Sequence, residues 1–224
     1  MNIKESALVL IDLQKESDFG LFGMEEVIQN TSKVIDACRK ANIPIIYTRQ
    51  INRAGGVALS LGEPLNDDGT PYFYNDTSEK IEIIDELKPM NNDIVIDKYR
   101  WSAFYETNLD LTLKSLGVNN ILIGGVVTDG CLMTSVFDAY FRDYNVHLIK
   151  DLCTTSNEGA HMASLMIMAN WVYNIKIYDT EDMINVINQD DYNVWEPTKV
   201  DSLPFTPDNM REVFKNFEQK RRGE

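Results

Sequence analysis

The sequence predicts a three-layer α/β/α sandwich around a parallel sheet of about six strands. Short apolar runs alternate along the chain with segments of helical period, a pattern typical of βαβ units. The apolar runs contain few polar residues, as expected when helices cover both faces of a sheet. The 224 residues, of which 44% are hydrophobic, can supply one substantial core.

Each apolar run predicts one strand, and helical periodicity predicts the elements between the strands. The strands are expected at residues 7–11, 43–48, 93–97, 120–124, 146–150 and 173–178. The helices are expected at residues 25–41, 107–116, 131–144 and 158–170. The stretch 53–78 contains Gly, Pro, Asn and Asp and therefore predicts a long loop. Loops of this length are often functional or cover a partner subunit.

The pattern changes near residue 190, so we interpret residues 1–189 as the main domain and 190–224 as an extension of the same unit. Thr206 and Pro207 predict the start of a terminal amphipathic helix. Its apolar face would carry Met210, Val213, Phe214 and Phe217, and its C-terminal end would carry Lys220, Arg221 and Arg222. This face would pack either on its own domain or, as we expect, on a neighbouring subunit of a homo-oligomer, a dimer or tetramer.

Composition excludes several classes of function. The formal net charge of −14 argues against binding to nucleic acid or to anionic membranes. No apolar run approaches the roughly 20 residues of a membrane span, and the N-terminus lacks the apolar core of a signal peptide. The three cysteines are widely spaced without a CxxC motif, so we expect no disulfide framework, no metal site and a cytoplasmic location.

Three chemically useful residues fall at the carboxyl ends of three predicted strands, where parallel sheets bind ligands: Asp12, Lys98 and Cys131. Cys131 lies where a helix begins, so amide groups and the helix dipole would favour its thiolate. Each residue alone often has a structural role. Together they supply a base, a cation and a nucleophile, which is a workable set for acyl transfer.

Histidine is scarce, and neither copy is well placed to act as a general base. His147 lies inside a predicted strand and His161 inside a predicted helix, so we interpret both as structural. A carboxylate is the better candidate to accept the thiol proton. Cys38 and Cys153 are predicted to be structural, and Thr128 and Asp129 are predicted to cap the helix or form its turn.

Three segments resemble the signatures of isochorismatase-like cysteine hydrolases, in matching order and spacing over roughly residues 5–187. The segments are Leu10-Ile11-Asp12-Leu13-Gln14, Lys98-Tyr99-Arg100-Trp101-Ser102-Ala103-Phe104 and Gly125-Val126-Val127-Thr128-Asp129-Gly130-Cys131. The resemblance implies a Rossmann-like fold and a Cys–Asp–Lys triad that cleaves the C–N bond of a small amide or ureide through a thioester. Vinyl-ether hydrolysis of the isochorismatase type and a non-catalytic binding role remain as alternatives.

The resemblance also assigns roles to individual residues. Cys131 would be the nucleophile, Asp12 would take and return the thiol proton, and Lys98 would stabilise the thiolate. A cis peptide bond would join Val126 to Val127, and the backbone N–H groups of Val127 and Cys131 would form the oxyanion hole.

The sequence says less about the identity of the substrate than about the type of reaction. Nicotinamidases of this family typically carry an Asp-x-His…His metal site after the second strand, and no histidine precedes His147 here, so we expect no metal and no other cofactor. The candidate pocket residues are Phe19, Arg49, Trp101, Tyr105 and Val127, with loops 15–24 and 50–80 shaping the pocket. Arg49 would bind an anionic substrate group or a surface carboxylate, while Trp101 and Tyr105 could instead belong to the core.

Overall fold

The computed structural model describes residues 1–16, 19–201, 203–215 and 217. All strand pairs of its sheet are parallel, in the order β3-β2-β1-β4-β5-β6. The strands are β1 Ser6–Ile11, β2 Ile45–Gln50, β3 Ile94–Lys98, β4 Asn120–Val126, β5 Asn145–Thr154 and β6 Lys176–Tyr178. Because helices cover both faces, the predicted three-layer sandwich is confirmed.

The helices divide between the two faces of the sheet. They are α1 Met24–Lys40, α2 Leu109–Ser115, α3 Met133–Phe141, α4 Glu158–Trp171, α5 Thr180–Asn188 and α6 Met210–Lys215. Apolar residues of α1 and α5 pack on one face, and those of α2, α3 and α4 pack on the other. Alternate residues of β1 enter the two cores, as the period of a strand requires. Helix α5 was not predicted from the sequence.

Strand β1 lies between β2 and β4, so the chain reverses its winding direction beside β1. The carboxyl ends of these strands meet at a topological switch point, where open α/β sheets bind ligands. Gly125 pairs with Ile11 in the register of β1 and β4. A Cβ at Gly125 would lie 2.2 Å from the carbonyl oxygen of Ile11, and its φ is +128°, so this close approach of the two strands requires glycine.

The C-terminal extension packs against its own chain, which differs from the expected contact with a neighbouring subunit. Asn170 of α4 accepts a hydrogen bond from Leu203 N–H (2.9 Å) and donates one to Leu203 O (3.2 Å). The rings of Trp195 and Phe217 are in edge contact, with centroids 5.2 Å apart. The apolar face that was predicted to need a partner therefore joins the core beside α4.

The terminal helix also begins later than predicted. Asn209 Oδ1 accepts hydrogen bonds from the backbone N–H and hydroxyl of Thr206, which hold residues 206–209 in a turn before Met210. The predicted basic end of the helix, at Lys220, Arg221 and Arg222, lies outside the described residues. Within the part of the chain that the structure describes, no helix combines the length and apolar character needed to cross a membrane.

Candidate active site

Asp12, Lys98 and Cys131 converge at the carboxyl edge of the sheet. Asp12 follows β1, Lys98 ends β3, and Cys131 lies in a π-helical turn, Thr128–Leu132, between β4 and α3. The Lys98 ammonium is 2.6 Å from Asp12 Oδ2, and both side chains are fully buried. Cys131 interacts electrostatically with both of these charges. The structure thus brings together the three residues that the sequence singled out.

The Asp12 carboxylate is held by strand β2. Asp12 has a left-handed φ of +52°, which Asp adopts more readily than most residues. Its backbone N–H donates to Thr48 Oγ1 (3.2 Å), and the Thr48 hydroxyl donates to Oδ1 (2.7 Å). Oδ2 faces the Lys98 ammonium, and the carboxylate also interacts with Cys131.

Lys98 is a buried cation that contacts three oxygens. Besides Asp12, its ammonium donates to Gln50 Oε1 (2.9 Å) and to the carbonyl of Arg100 (3.2 Å), which satisfies its three donors. Burial lowers the pKa of Lys98, but its interactions with Asp12 and Cys131 raise it, and the net shift is upward. Lys98 consequently stays charged beside the thiol.

Two supporting residues, Thr48 and Gln50, were missed in the sequence. Gln50 is fixed in turn by Gln14, which accepts from the Gln50 N–H (2.8 Å) and donates to its carbonyl (3.0 Å). The sequence does contain a usable indication, because Thr48 and Gln50 are polar, stand two positions apart at the end of β2 and therefore point to the same face of the sheet. Such a pair is expected to face something polar at the carboxyl edge.

The turn that carries Cys131 is fixed at both ends. The N–H groups of Gly130 and Leu132 both donate to the carbonyl of Val127 (3.1 and 3.2 Å). The carbonyl of Cys131 accepts from the Ser135 hydroxyl (2.6 Å), which in turn accepts from the Ala103 N–H (2.9 Å). The peptide bond that precedes the turn, Val126–Val127, is cis.

The resting Cys131 side chain is a thiol rather than a thiolate. Burial raises its pKa to about 12, and although Lys98 lowers the pKa, Asp12 raises it further. Desolvation and the neighbouring carboxylate outweigh the effect of Lys98 on this thiol, and stabilisation of the thiolate by helix N-terminal amides stays a prediction. A thiol of this kind must lose its proton before its sulfur can act as a nucleophile.

A cavity of about 340 Å³ opens above Cys131. Phe19, Trp101 and Val127 line it, as do several residues of the loop between β2 and β3. These further residues are Asn52, Ser60, Glu63, Pro64, Phe73 and Tyr74, and Gln50, Asp129 and Gly130 complete the lining. Phe19 stacks on Phe73 with ring centroids 4.2 Å apart. The loops at 15–24 and 50–80 thus contribute to the cavity wall, as expected.

Two predicted pocket residues lie elsewhere. Arg49 does not line the cavity, because its guanidinium pairs with Asp97 (2.8 and 3.1 Å) and Glu82 (3.1 Å). Of the two alternatives for Arg49, the structure therefore shows the pairing with surface carboxylates. Tyr105 is also absent from the cavity lining and is half exposed. Trp101, although it lines the cavity, is 63% exposed and does not belong to the core.

The remaining residues of chemical interest have structural partners. Thr128 and Asp129 lie in the turn before α3, as predicted, but their side chains do not cap the helix. Asp129 accepts from the Thr155 hydroxyl (2.6 Å), and Thr128 bonds His161 Nδ1 (2.9 Å). His147 is buried between Tyr178 and Asn120. Cys38 and Cys153 are buried, and burial raises the pKa of each thiol.

A larger depression, of about 880 Å³, lies at the amino-terminal ends of β2 and β3. Its lining includes the ion pair of Arg39 and Asp93 (2.7 Å) but no cysteine. Among the described residues, no group of three or more His, Cys, Asp or Glu could hold a metal ion. The cavity above Cys131 is therefore the better candidate for an active site.

Comparison with known proteins places this geometry in context. Residues 6–182 match the sequence model of a protein family, the isochorismatase domain. Nicotinamidase 3 of Arabidopsis thaliana is 31% identical over 170 residues, which cover 75% of this chain and 82% of that protein. Ureidoacrylate amidohydrolase RutB of Acinetobacter baylyi is 27% identical, with 81% and 83% of the two chains covered. Enterobactin synthase component B of Escherichia coli is 33% identical over 146 residues, and this chain spans 50% of its length.

Solved structures share the fold. A cysteine hydrolase from Pseudomonas syringae pv. phaseolicola superposes with a TM-score of 0.76 at 24% identity, covering 84% of this chain and 95% of that chain. N-carbamoylsarcosine amidase from Thermoplasma acidophilum superposes with a TM-score of 0.64 at 22% identity, covering 79% and 97%.

Proposed function

Since this chain belongs to the isochorismatase family of hydrolases, we propose that it is a cysteine hydrolase that cleaves the C–N bond of a small amide, carbamoyl or ureide compound. The observation that carries this proposal is the fully buried Asp12–Lys98 ion pair in contact with Cys131. Burying two charges is costly, and buried ionisable groups in a cleft concentrate at functional sites.

The first half of the reaction forms a thioester. As the substrate carbonyl approaches, the Cys131 thiol gives its proton to Asp12, and the sulfur attacks the carbonyl carbon. The Lys98 ammonium stabilises the thiolate that develops between these two charges. The backbone N–H groups of Val127 and Cys131 bind the carbonyl oxygen as it becomes negative. The C–N bond then breaks, and Asp12 returns the proton to the leaving nitrogen, so that ammonia or an amine departs.

The second half regenerates the enzyme. Water attacks the thioester while Asp12 takes one of its protons, and the C–S bond breaks. The product leaves as the acid, and Cys131 recovers its proton. The raised pKa of Cys131 suits this cycle, because a thiolate that leaves from the thioester is readily reprotonated by the neighbouring acid.

The test is ammonia or amine release from a panel of compounds by the wild type, Cys131→Ala and Cys131→Ser. The panel contains biuret, N-carbamoyl amino acids, ureidoacrylate-like ureides, nicotinamide and aliphatic amides. We expect release from one chemical class by the wild type only. Release that persists in Cys131→Ala would exclude the thioester mechanism.

The alternatives have less support from the site. A vinyl-ether hydrolase of the isochorismatase type would have to bind a dicarboxylate, whereas two carboxylates and no lysine, arginine or histidine are found among the described lining residues. A binding module without catalysis would have no need for the Asp12–Lys98 pair beneath a cysteine. Turnover that depends on Cys131 would support the catalytic role, and binding of a panel compound without turnover would support the binding module.

A further inference from the structure

The proposed substrate cavity carries two carboxylates among aromatic rings. Glu63 and Asp129 line it together with Phe19, Phe73 and Trp101. None of the described residues in its lining is a lysine, an arginine or a histidine. The wall of the cavity therefore has a negative formal charge that no cation in the lining offsets.

The charges below the cavity do not change this balance. Lys98 is buried and paired with Asp12 at 2.6 Å, so the two formal charges cancel. Cys131 is neutral as a thiol. The chain as a whole carries a formal net charge of −14, of the same sign as the cavity wall. A cleft lined by charges of one sign concentrates ligands of the opposite sign.

Glu63 is held in a fixed position with one oxygen available. Asn52 Nδ2 donates to Glu63 Oε1 (2.6 Å) and to the carbonyl of Phe73 (3.1 Å). The Asn52 side chain is buried, so it restricts the Glu63 carboxylate without neutralising it. Glu63 Oε2 accepts no hydrogen bond from any residue within the described ranges. This oxygen can accept one from a ligand.

The aromatic residues favour the same type of ligand. Phe19 and Phe73 stack with an interplanar angle of 10°. Trp101 presents a ring that is 63% exposed. The faces of such rings attract ammonium and guanidinium groups, and Trp does so most strongly.

We propose that the substrate is an amide or carbamoyl compound that also carries a cationic group, an ammonium or a guanidinium, and that Glu63 binds this group. The inference rests on the proposed function, since it takes the cavity above Cys131 as the substrate site. An amide that carries a carboxylate instead would meet Glu63 and Asp129 as like charges, and binding would weaken.

The direct test measures binding to the Cys131→Ser protein, which separates recognition from turnover. Three amides of closely similar size serve as probes: β-alaninamide is a cation, butyramide is neutral and succinamate is an anion. Ligand-observed NMR or calorimetry should give a Kd for the cation at least about tenfold below that of the neutral amide, with the anion weakest. Equal affinities, a reversed order or no binding of the cation would overturn the proposal.

A matched pair of variants assigns the effect to one carboxylate. Glu63→Gln removes the charge but keeps an oxygen that can accept from Asn52. Asp67→Asn removes an equal charge from an exposed position in the same loop, outside the cavity lining. We expect only Glu63→Gln to weaken binding of β-alaninamide, by about tenfold, with butyramide unaffected. Equal losses in both variants would overturn the role of Glu63.

The two proposals can fail separately. If ammonia release persists in Cys131→Ala, the thioester mechanism fails, while the order of the three affinities still decides the cationic preference. If release depends on Cys131 but the enzyme prefers neutral or anionic amides, the hydrolase proposal stands and the present inference fails.

Discussion

Lys98 lies 2.6 Å from Asp12, although strand β2 separates the strands that carry them. Strand β2 bridges the gap because Thr48 bonds the carboxylate and Gln50 bonds the ammonium. The ion pair is therefore positioned by three neighbouring strands, and its geometry depends on residues that take no part in the chemistry themselves.

We expect Asp12→Asn to separate the reactivity of the thiol from turnover. Asp12 raises the pKa of Cys131 and Lys98 lowers it, so removing the carboxylate should lower that pKa and leave more thiolate at neutral pH. Alkylation by iodoacetamide should become faster. Ammonia release should fall by about 10²–10⁴-fold, because the group that carries the proton is lost. Slower alkylation together with full turnover would contradict the assigned role.

Two variants test whether the Thr48 hydroxyl positions Asp12, one without the hydroxyl and one that keeps it. Thr48→Val keeps the shape but leaves two buried groups of Asp12 without a partner, so we expect a loss of about 1–3 kcal/mol in the free energy of unfolding. We also expect kcat to fall with little change in KM. Thr48→Ser keeps the hydroxyl and should restore kcat. If Thr48→Ser is as impaired as Thr48→Val, the hydroxyl does not position Asp12.

His147 should make the protein less stable in mild acid. Burial, aided by Lys176 and the N-terminus, lowers its pKa from 6.5 to about 3. Between these values the unfolded chain binds a proton that the folded chain excludes, so stability is complete above pH 6.5 and declines as the pH falls. From pH 7 to pH 5 this residue should account for about 2 kcal/mol.

The measurement is urea unfolding of the wild type and His147→Gln at these two pH values. The variant should lose less stability than the wild type on acidification. His161, whose pKa burial lowers to about 4, remains in both proteins and cancels in the comparison. If the wild type and His147→Gln lose the same free energy of unfolding between pH 7 and pH 5, His147 does not contribute.

The C-terminal extension should stabilise the domain on which it packs. Asn170→Ala removes both hydrogen bonds to Leu203 and leaves a buried N–H and C=O unpaired. We expect a loss of about 1–3 kcal/mol in the free energy of unfolding. Asn174→Ala, on the other side of the α4 terminus, provides a comparison at a more exposed site. A smaller effect of Asn170→Ala than of Asn174→Ala would argue against the packing role.

The homo-oligomer remains a prediction, and the structure changes how it should be tested. The extension packs on its own chain, so its apolar face does not need a second subunit in order to be buried. The rings of Tyr140, Phe141 and Tyr173 form a cluster in which Phe141 is 70% exposed. We expect light scattering to give a mass of a dimer or tetramer of the 25.6 kDa chain, and Phe141→Ser to reduce it. A wild-type mass of one chain would contradict this.

Residues at strand ends were predictable, and residues that depend on side-chain packing were not. Strand periodicity and the switch-point rule brought Asp12 and Cys131 to one edge without knowledge of side chains. The thiol state could not be predicted in this way, because it depends on how far burial outweighs Lys98. The choice between the two alternatives for Arg49 could not be made from its strand-end position, which says nothing of the carboxylates of Asp97 and Glu82 on adjacent segments.

The connection between β2 and β3 has a consequence for how such enzymes diversify. In the proposed mechanism the reacting residues are Lys98 at the end of β3, Asp12 directly after β1 and Cys131 in the turn after β4, whereas Asn52, Glu63 and Phe73 belong to the loop between β2 and β3. The fold tolerates insertions and substitutions in a surface loop of this kind. The scaffold can thus acquire new substrates by replacing one segment of chain while its chemistry is inherited unchanged, and a chimera that receives this segment from a relative should inherit the donor's selectivity.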